Sequence, residues 1–411
     1  MLKVIRNLLA PLSSLFIMLL GNGLYSTLIP LRLDIEHASN TLIGYASSAY
    51  YVGSIIGCLQ IEAFIARVGH IRAFAIFATL TTISSLLPVM VSYHEAWIML
   101  RCINGFSMAG IYIVIESWLL GASHSRNHSR VFAVYMIVLY GGQSLGQLLL
   151  NISSPNQVIP FCIASILACL AIIPVCLTYQ VSPSIEGSSR LSLWKIYQIS
   201  PTGSLNCFVA GMILASIYGL LPVYANQFAA NIKDTSITML LVILGGMSLQ
   251  YPIGHLSDIL ERSWVMLLLI VATIVLSGII IISAALSKML FWILIFILGG
   301  VTFTLYPIGV SYTCDRVGKE NVVAVISSLG LAYSLGATAG PILAALFMDQ
   351  FGNKGLFIYF ASLGAALMIF MLWRWQQRPR VKTFEQSEYI ALSSTTLTAS
   401  KLDPRSHEED N

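Results

Sequence analysis

The chain has 411 residues, of which 57% are hydrophobic and 10% charged, with a formal net charge of +4. A soluble domain carries roughly 25% charged residues, and a globule must keep much of its surface wet. A water-soluble fold is therefore excluded and lipid is the expected solvent, while the small, scattered positive charge gives no basic patch and no nucleic-acid partner.

A helix needs roughly 20 apolar residues to cross the hydrocarbon, and helices are favoured because lipid offers backbone groups no hydrogen-bond partner. The first apolar run, about Leu8–Leu31, follows Lys3 and Arg6. It exceeds the roughly 7–15 residues of a signal-peptide core, so it is read as a first transmembrane helix. Five more runs follow at about Ile43–Ile65, Ala73–Ser92, Ala96–Ala122, Val131–Ile152 and Val158–Thr178. After a polar stretch, Gln180–Ser200, come Gly203–Phe228, Ile237–Leu256, Trp264–Leu286, Leu290–Tyr312, Val322–Phe347 and Gly355–Trp375. The expectation is an all-α membrane protein with twelve transmembrane helices. Residues 1–179 and 203–375 form its two halves, residues 180–202 a cytoplasmic linker, and residues 376–411 a polar, disordered cytoplasmic tail.

Lysine and arginine placement sets the orientation. With a cytoplasmic N-terminus, 17 of these residues fall in cytoplasmic segments, against four outside: Arg32, Lys233, Lys288 and Lys354. Both termini are therefore expected in the cytoplasm. Trp97, Trp118, Trp264, Trp292, Trp373 and Trp375 fall near predicted helix ends, as in an interfacial aromatic belt. Cys162, Cys169 and Cys176 recur every seven residues on one helix face, read as a packed stripe of small hydrophobes. The cysteines show no metal-binding spacing.

The two halves echo each other. Pro30 matches Pro222 at an offset of 192, as Glu62 matches Gly254, and Ser144-Leu145-Gly146 matches Ser334-Leu335-Gly336 at 190. Two related six-helix halves with a mid-membrane site between them describe one transporter design.

Gly254-His255-Leu256-Ser257-Asp258 resembles the start of the major facilitator loop motif, G-x-L-x-D-R-x-G-R-R. The first-half counterpart, Glu62 to Arg72, keeps Arg67 and Gly69 but has Glu62 and Ala66 where glycine and aspartate are usual. Arg101-x-x-Asn104-Gly105 resembles the family's R-x-x-Q-G, and Gly336-x-x-x-Gly340-Pro341 its glycine-rich helix motif. The resemblance to the major facilitator superfamily covers about residues 8–375. Glu116-Ser117-Trp118 and Phe303-Thr304-Leu305-Tyr306-Pro307 are most similar to its bacterial YcaD-like branch. This implies two pseudo-symmetric six-helix bundles in a bacterial inner membrane and secondary active transport of a small molecule by alternating access. It also implies a proton as the expected coupling ion, and the chain is expected to act as a monomer without a cofactor.

Ionisable groups inside a membrane are costly and are functional suspects. Arg101 and Glu116 lie in the fourth span, 15 residues apart, or about 22 Å along a helix, too far to pair. Arg101 reads as a substrate or anion contact, or as a group that tunes a proton site; the alternative is an arginine snorkelling to the interface. Glu116 reads as a protonation site, a gate or one half of a permanent salt bridge. The resemblance favours a gate, with Arg67 and Arg72 as its basic partners. Asp258 is expected to brace a helix end; the alternative is an exposed loop acid. The cavity candidates are Asn22, Tyr25, Arg101, Asn104, Tyr140, Gln143, Tyr218, Gln250, Tyr306 and Tyr333, each of which could instead make an interhelical hydrogen bond.

Other classes are poorly served. The seven histidines lie at loops, helix ends or the tail, no Walker A motif is present, and no charged ring suggests a channel. A transporter-like sensor and, less favoured, a membrane enzyme remain as alternatives.

Overall fold

The computed structural model describes residues 2–91, 93–122, 128–177, 192–229, 231–283, 287–317, 321–375 and 389–390, and among them there is no strand. The helices are α1 (Leu2–Ile35), α2 (Asn40–Val68), α3 (His70–Leu86), α4 (His94–Ala122), α5 (His128–Leu148), α6 (Ile159–Leu170) and α7 (Ile172–Cys176). After the central stretch come α8 (Leu193–Ile199), α9 (Pro201–Ala229), α10 (Ile232–Ile259), α11 (Arg262–Ser283), α12 (Lys288–Cys314), α13 (Val322–Phe351) and α14 (Gly355–Trp375).

Among the described residues, eleven stretches are long and apolar enough to cross a membrane, the last being Val322–Trp375 with 54 residues. At about 1.5 Å per residue that last stretch far exceeds a ~30 Å hydrocarbon core. It contains α13 and α14, parted by a 3-10 turn at Gly352–Lys354. Gly352 there adopts φ 64°, a left-handed conformation that costs glycine little. The end of α1 meets the end of α9, and the start of α2 meets the end of α13; the bundle thus has a distal face, where α1 ends, and a proximal face, where α1 begins.

Two expectations change, those for the cysteine stripe and for the tryptophans. The part of the linker that is described, from residue 192, is largely helical as α8; residues 180–191 lie outside the described residues. So do residues 376–388 and 391–411 of the expected disordered tail. The cysteine stripe does not pack inside: Cys169 and Cys176 are exposed and Cys162 is half-buried. In lipid the outward face is as apolar as the inward one, so periodicity alone cannot say which face a stripe occupies. Conversely, Trp97 and Trp118 are buried. Trp97 Nε1 donates to the Val91 carbonyl and Trp118 packs beside His70, so neither belongs to an interfacial belt.

The helix pairs that pack most extensively are α2 with α4, α9 with α13, α10 with α12, α2 with α13 and α1 with α5. Glycine makes these approaches feasible. On α2 and α4, a Cβ at Gly53 would strike the Cys102 carbonyl, and one at Gly105 the Tyr50 carbonyl. On α10 and α12, Gly245 faces the Phe296 carbonyl and Gly299 the Val242 carbonyl in the same reciprocal way. The second pattern recurs as well: Gly23 and Gly146 part α1 from α5, and Gly211 and Gly336 part α9 from α13. Gly53 and Gly245 stand 192 residues apart, the offset already seen between Pro30 and Pro222. Gly105→Ala puts a methyl against backbone that has no rotamer to escape into. It is expected to cost about 1–3 kcal/mol, as overpacking does, and to lower the thermal unfolding midpoint of the purified protein; an unchanged midpoint would mean that the crossing is looser than described.

Candidate functional site

Four helices from before the central stretch and three from after it line a half-open cavity of about 130 Å³. From the first group come Asn22 and Ser26 on α1, Tyr50 and Tyr51 on α2, Arg101 and Tyr112 on α4, and Tyr140 and Gln143 on α5. From the second come Tyr218 on α9, Phe303 and Tyr306 on α12, and Tyr333 on α13. The aromatic rings touch one another around the space: Phe303 lies 5.8 Å from Tyr140 and 6.0 Å from Tyr218, and Tyr306 lies 5.1 Å from Tyr333.

Arg101 is 6% exposed, so it is drawn into the bundle rather than extended to a surface. Its guanidinium carbon lies 4.9 Å from the Tyr50 ring centroid and 5.5 Å from that of Tyr25. Such contacts stabilise a desolvated cation without neutralising it. One terminal nitrogen donates to Asn104 Oδ1 across a long 3.4 Å, while Nε is buried without a hydrogen-bond partner. Among the described residues, no aspartate or glutamate lines the cavity.

Seven of the ten cavity candidates thus meet at one space: Asn22, Arg101, Tyr140, Gln143, Tyr218, Tyr306 and Tyr333. Tyr25, Asn104 and Gln250 do not line it. Tyr25 is turned away, donating its hydroxyl to the Ser84 carbonyl at 2.9 Å. Asn104 sits behind Arg101 and reaches Ser84 Oγ. Gln250 is buried on α10 towards the proximal end of the bundle, with no hydrogen-bond partner for its Nε2. Tyr50, Tyr51 and Phe303 were missed. Nothing in an apolar run distinguishes an aromatic that faces a cavity from one that faces a neighbour.

Glu116 is fully buried, and its Oε1 accepts the Tyr135 hydroxyl of α5 at 2.7 Å. Arg67 and Arg72 are exposed at the proximal ends of α2 and α3, and in this structure neither pairs with Glu116. The carboxylate points towards α5, which takes it away from both. Asp258 pairs with Arg262 at 3.4 Å, one turn on at the start of α11. Arg262 is 1% exposed and holds both carboxylate oxygens of Asp315 at 2.5 Å. Its signal was present in sequence, since Asp258 and Arg262 stand at i and i+4 around a helix start. The chain beyond α14 also comes back to this point. The Tyr389 amide donates to Asp258 Oδ1 at 2.9 Å, its ring covers Gly254, and burial pushes its phenol pKa up.

At the distal face, three clusters of hydrogen bonds tie the two groups of helices together. Asp34 on α1 accepts from Asn226 at 2.9 Å and Gln227 at 2.7 Å on α9. Asp349 on α13 accepts from Asn40 at 2.9 Å and Thr41 at 2.6 Å on α2. Ser236 on α10 accepts from Asn151 and donates to the Gln147 carbonyl.

The family model of the Major Facilitator Superfamily matches residues 12–303 and 203–404. The chain is 31% identical over 372 residues to an uncharacterized MFS-type transporter YcaD from Escherichia fergusonii, covering 89% of this chain and 95% of that protein. The same identity and coverage hold for YcaD of Escherichia coli O45:K1. Among solved structures, the nucleoside transporter NupG matches with a TM-score of 0.72 at 13% identity, over 90% of this chain and 99% of that one. A D-xylose-proton symporter matches with a TM-score of 0.71 at 13% identity, over 92% and 98%. At such identity these two likenesses speak for the fold, and the matches to the family model and to YcaD speak for kinship. A helical chain with many membrane-length spans, a cavity where its two groups of helices meet and these relatives is a transporter of the major facilitator superfamily.

Proposed function

We propose that the protein is a secondary active transporter that carries a small molecule by alternating access, with a proton as its coupling ion. Its twelve helices form two pseudo-symmetric six-helix bundles, residues 1–179 and 203–375, joined by the cytoplasmic linker 180–202 and followed by the cytoplasmic tail 376–411. It sits as a monomer in a bacterial inner membrane, both termini inside. One observation carries this reading: the cavity lies where the two groups of helices meet, and hydrogen bonds between those groups seal it at the distal face. With the N-terminus in the cytoplasm the distal face is the exterior, and its closing hydrogen bonds support an inward-facing reading. The reciprocal glycine crossings in each half support the repeat.

Within this reading, the cavity residues Asn22, Arg101, Tyr140, Gln143, Tyr218, Tyr306 and Tyr333 contact substrate, and Tyr25 and Asn104 position Arg101. Gln250 and Asp258 lie on the cytoplasmic path, beside Tyr389. Glu116 rests on Tyr135 while the cytoplasmic side is open and pairs with Arg67 or Arg72 when it shuts. Only an interaction that differs between two states can shift their balance. Glu116→Gln should therefore favour the inward-facing state, and combining it with the change of its true partner to alanine should add little. Cysteine accessibility from the cytoplasmic side reads the shift, and unchanged accessibility would sink the gate.

The overall reading is tested in proteoliposomes with radiolabelled nucleosides, pentoses and monocarboxylates under an imposed pH gradient. Accumulation of one of these, abolished by a protonophore, is expected. Specific binding with no transmembrane movement would instead favour the sensor alternative, and chemical conversion of the solute the enzyme alternative.

A further inference from the structure

We infer that the transported solute is a small organic anion, a monocarboxylate on a flat apolar body of about one ring, bound with its charge on Arg101. The inference rests on the transporter reading and deepens it.

The charge argument comes first. Arg101 is 6% exposed, and its contacts are two tyrosine faces and one long hydrogen bond to an uncharged amide. A buried charge is normally paired, yet the cavity wall contains no acid. Nε of Arg101 is buried with no partner, as is Oδ1 of Asn22 on the same wall. The unsatisfied Arg101 donor matches a ligand that brings an acceptor, and the Asn22 oxygen, itself an acceptor, matches a donor on the same ligand. A planar guanidinium fork matches a carboxylate, which it can hold through two parallel hydrogen bonds. A cationic solute would meet like charge at low dielectric, and a neutral one would leave the guanidinium unneutralised.

The size and the walls then suggest the body. The space is about 130 Å³, and an apolar cavity of about 150 Å³ is known to take benzene. Tyr140, Tyr218, Tyr333 and Phe303 present rings around it, which suit offset or edge contacts with another ring. Asn22 adds a polar contact, so a hydroxyl or amino group on that body would be accommodated.

The test uses the intact protein purified in detergent and three isosteric probes: benzoate, benzamide and benzylammonium, with acetate and chloride as anion controls. A ligand that binds the folded state raises the unfolding midpoint with concentration. Benzoate should raise it saturably, and benzamide, benzylammonium and the two controls should not. Arg101→Gln should weaken benzoate binding about tenfold or more, the scale of losing hydrogen bonds to a charged group, and Arg101→Lys should fall between. A benzamide or benzylammonium effect equal to that of benzoate would overturn the inference, as would no benzoate effect at all. The probe comparison needs no variant, so a poorly folding Arg101→Gln protein leaves the test intact. The two readings fail separately. Benzoate binding without transport of any solute contradicts the transporter, whereas proton-driven uptake of a nucleoside or sugar by a protein blind to benzoate contradicts the anion.

Discussion

Arg101→Ala is expected to abolish uptake in proteoliposomes while leaving expression and monodispersity largely intact. Removing one partner of a desolvated, hydrogen-bonded charge pair costs about 2–5 kcal/mol, so transport at a fixed solute concentration should fall by about two orders of magnitude. Folding should suffer less, because the side chain holds only a long bond to Asn104 and two ring faces. Removing an unneutralised buried charge also relieves a desolvation cost. Arg101→Lys should recover part of the loss, since an ammonium keeps the charge but lacks the planar fork. The measurement is initial uptake at several solute concentrations, alongside the thermal unfolding midpoint. Unchanged uptake in the alanine variant would reduce Arg101 to a structural residue.

The double variant Asp34→Ala, Asp349→Ala should shift the resting protein towards an outward-facing state and slow turnover. These two carboxylates accept four hydrogen bonds that cross between the helix groups. Where water screens them, each is worth about 0.5–1 kcal/mol. Together they bias the balance of states by about 30-fold or more. Turnover should fall because the return to the inward-facing state loses that bias, whereas affinity at the central cavity should change little, since neither residue lines it. Uptake kinetics separate the two, with the maximal rate lowered and the half-saturating concentration near its original value. The single variants should each show part of the effect.

Much of this architecture was legible in sequence because lipid imposes a simple rule: a span must be long, apolar and helical. The predicted runs, such as Ile43–Ile65 and Leu290–Tyr312, fall inside α2 and α12. Which side of a span faces the protein was not legible, since Cys169 and Cys176 on α6 and α7 turn outward and Trp118 turns inward. The same limit explains the site. Arg101 stands out because a charge in an apolar run is expensive, but Tyr50 and Tyr51 in α2 carry no such mark. The distal seal was invisible for another reason. Asp34 and Asn226 are ordinary polar residues at helix ends, and only the packing of α1 against α9 brings them within 2.9 Å. Arg262 was legible in part, through its spacing from Asp258, but its burial against Asp315 depends on how α11 meets α12.

Alternating access is tested most directly by electron–electron distance measurements at both faces of the same protein. Spin labels on cysteines introduced at His37 and Lys233 report the distal face, and labels at Ala66 and Ile259 the proximal face; all four positions are exposed. The seven native cysteines are first removed. Starting from the sealed distal face, Asp34→Ala with Asp349→Ala should lengthen the 37–233 distance and shorten the 66–259 distance, in matching proportions of molecules. A distal pair that does not respond, or two faces that lengthen together, would contradict a carrier whose cavity opens to one side at a time.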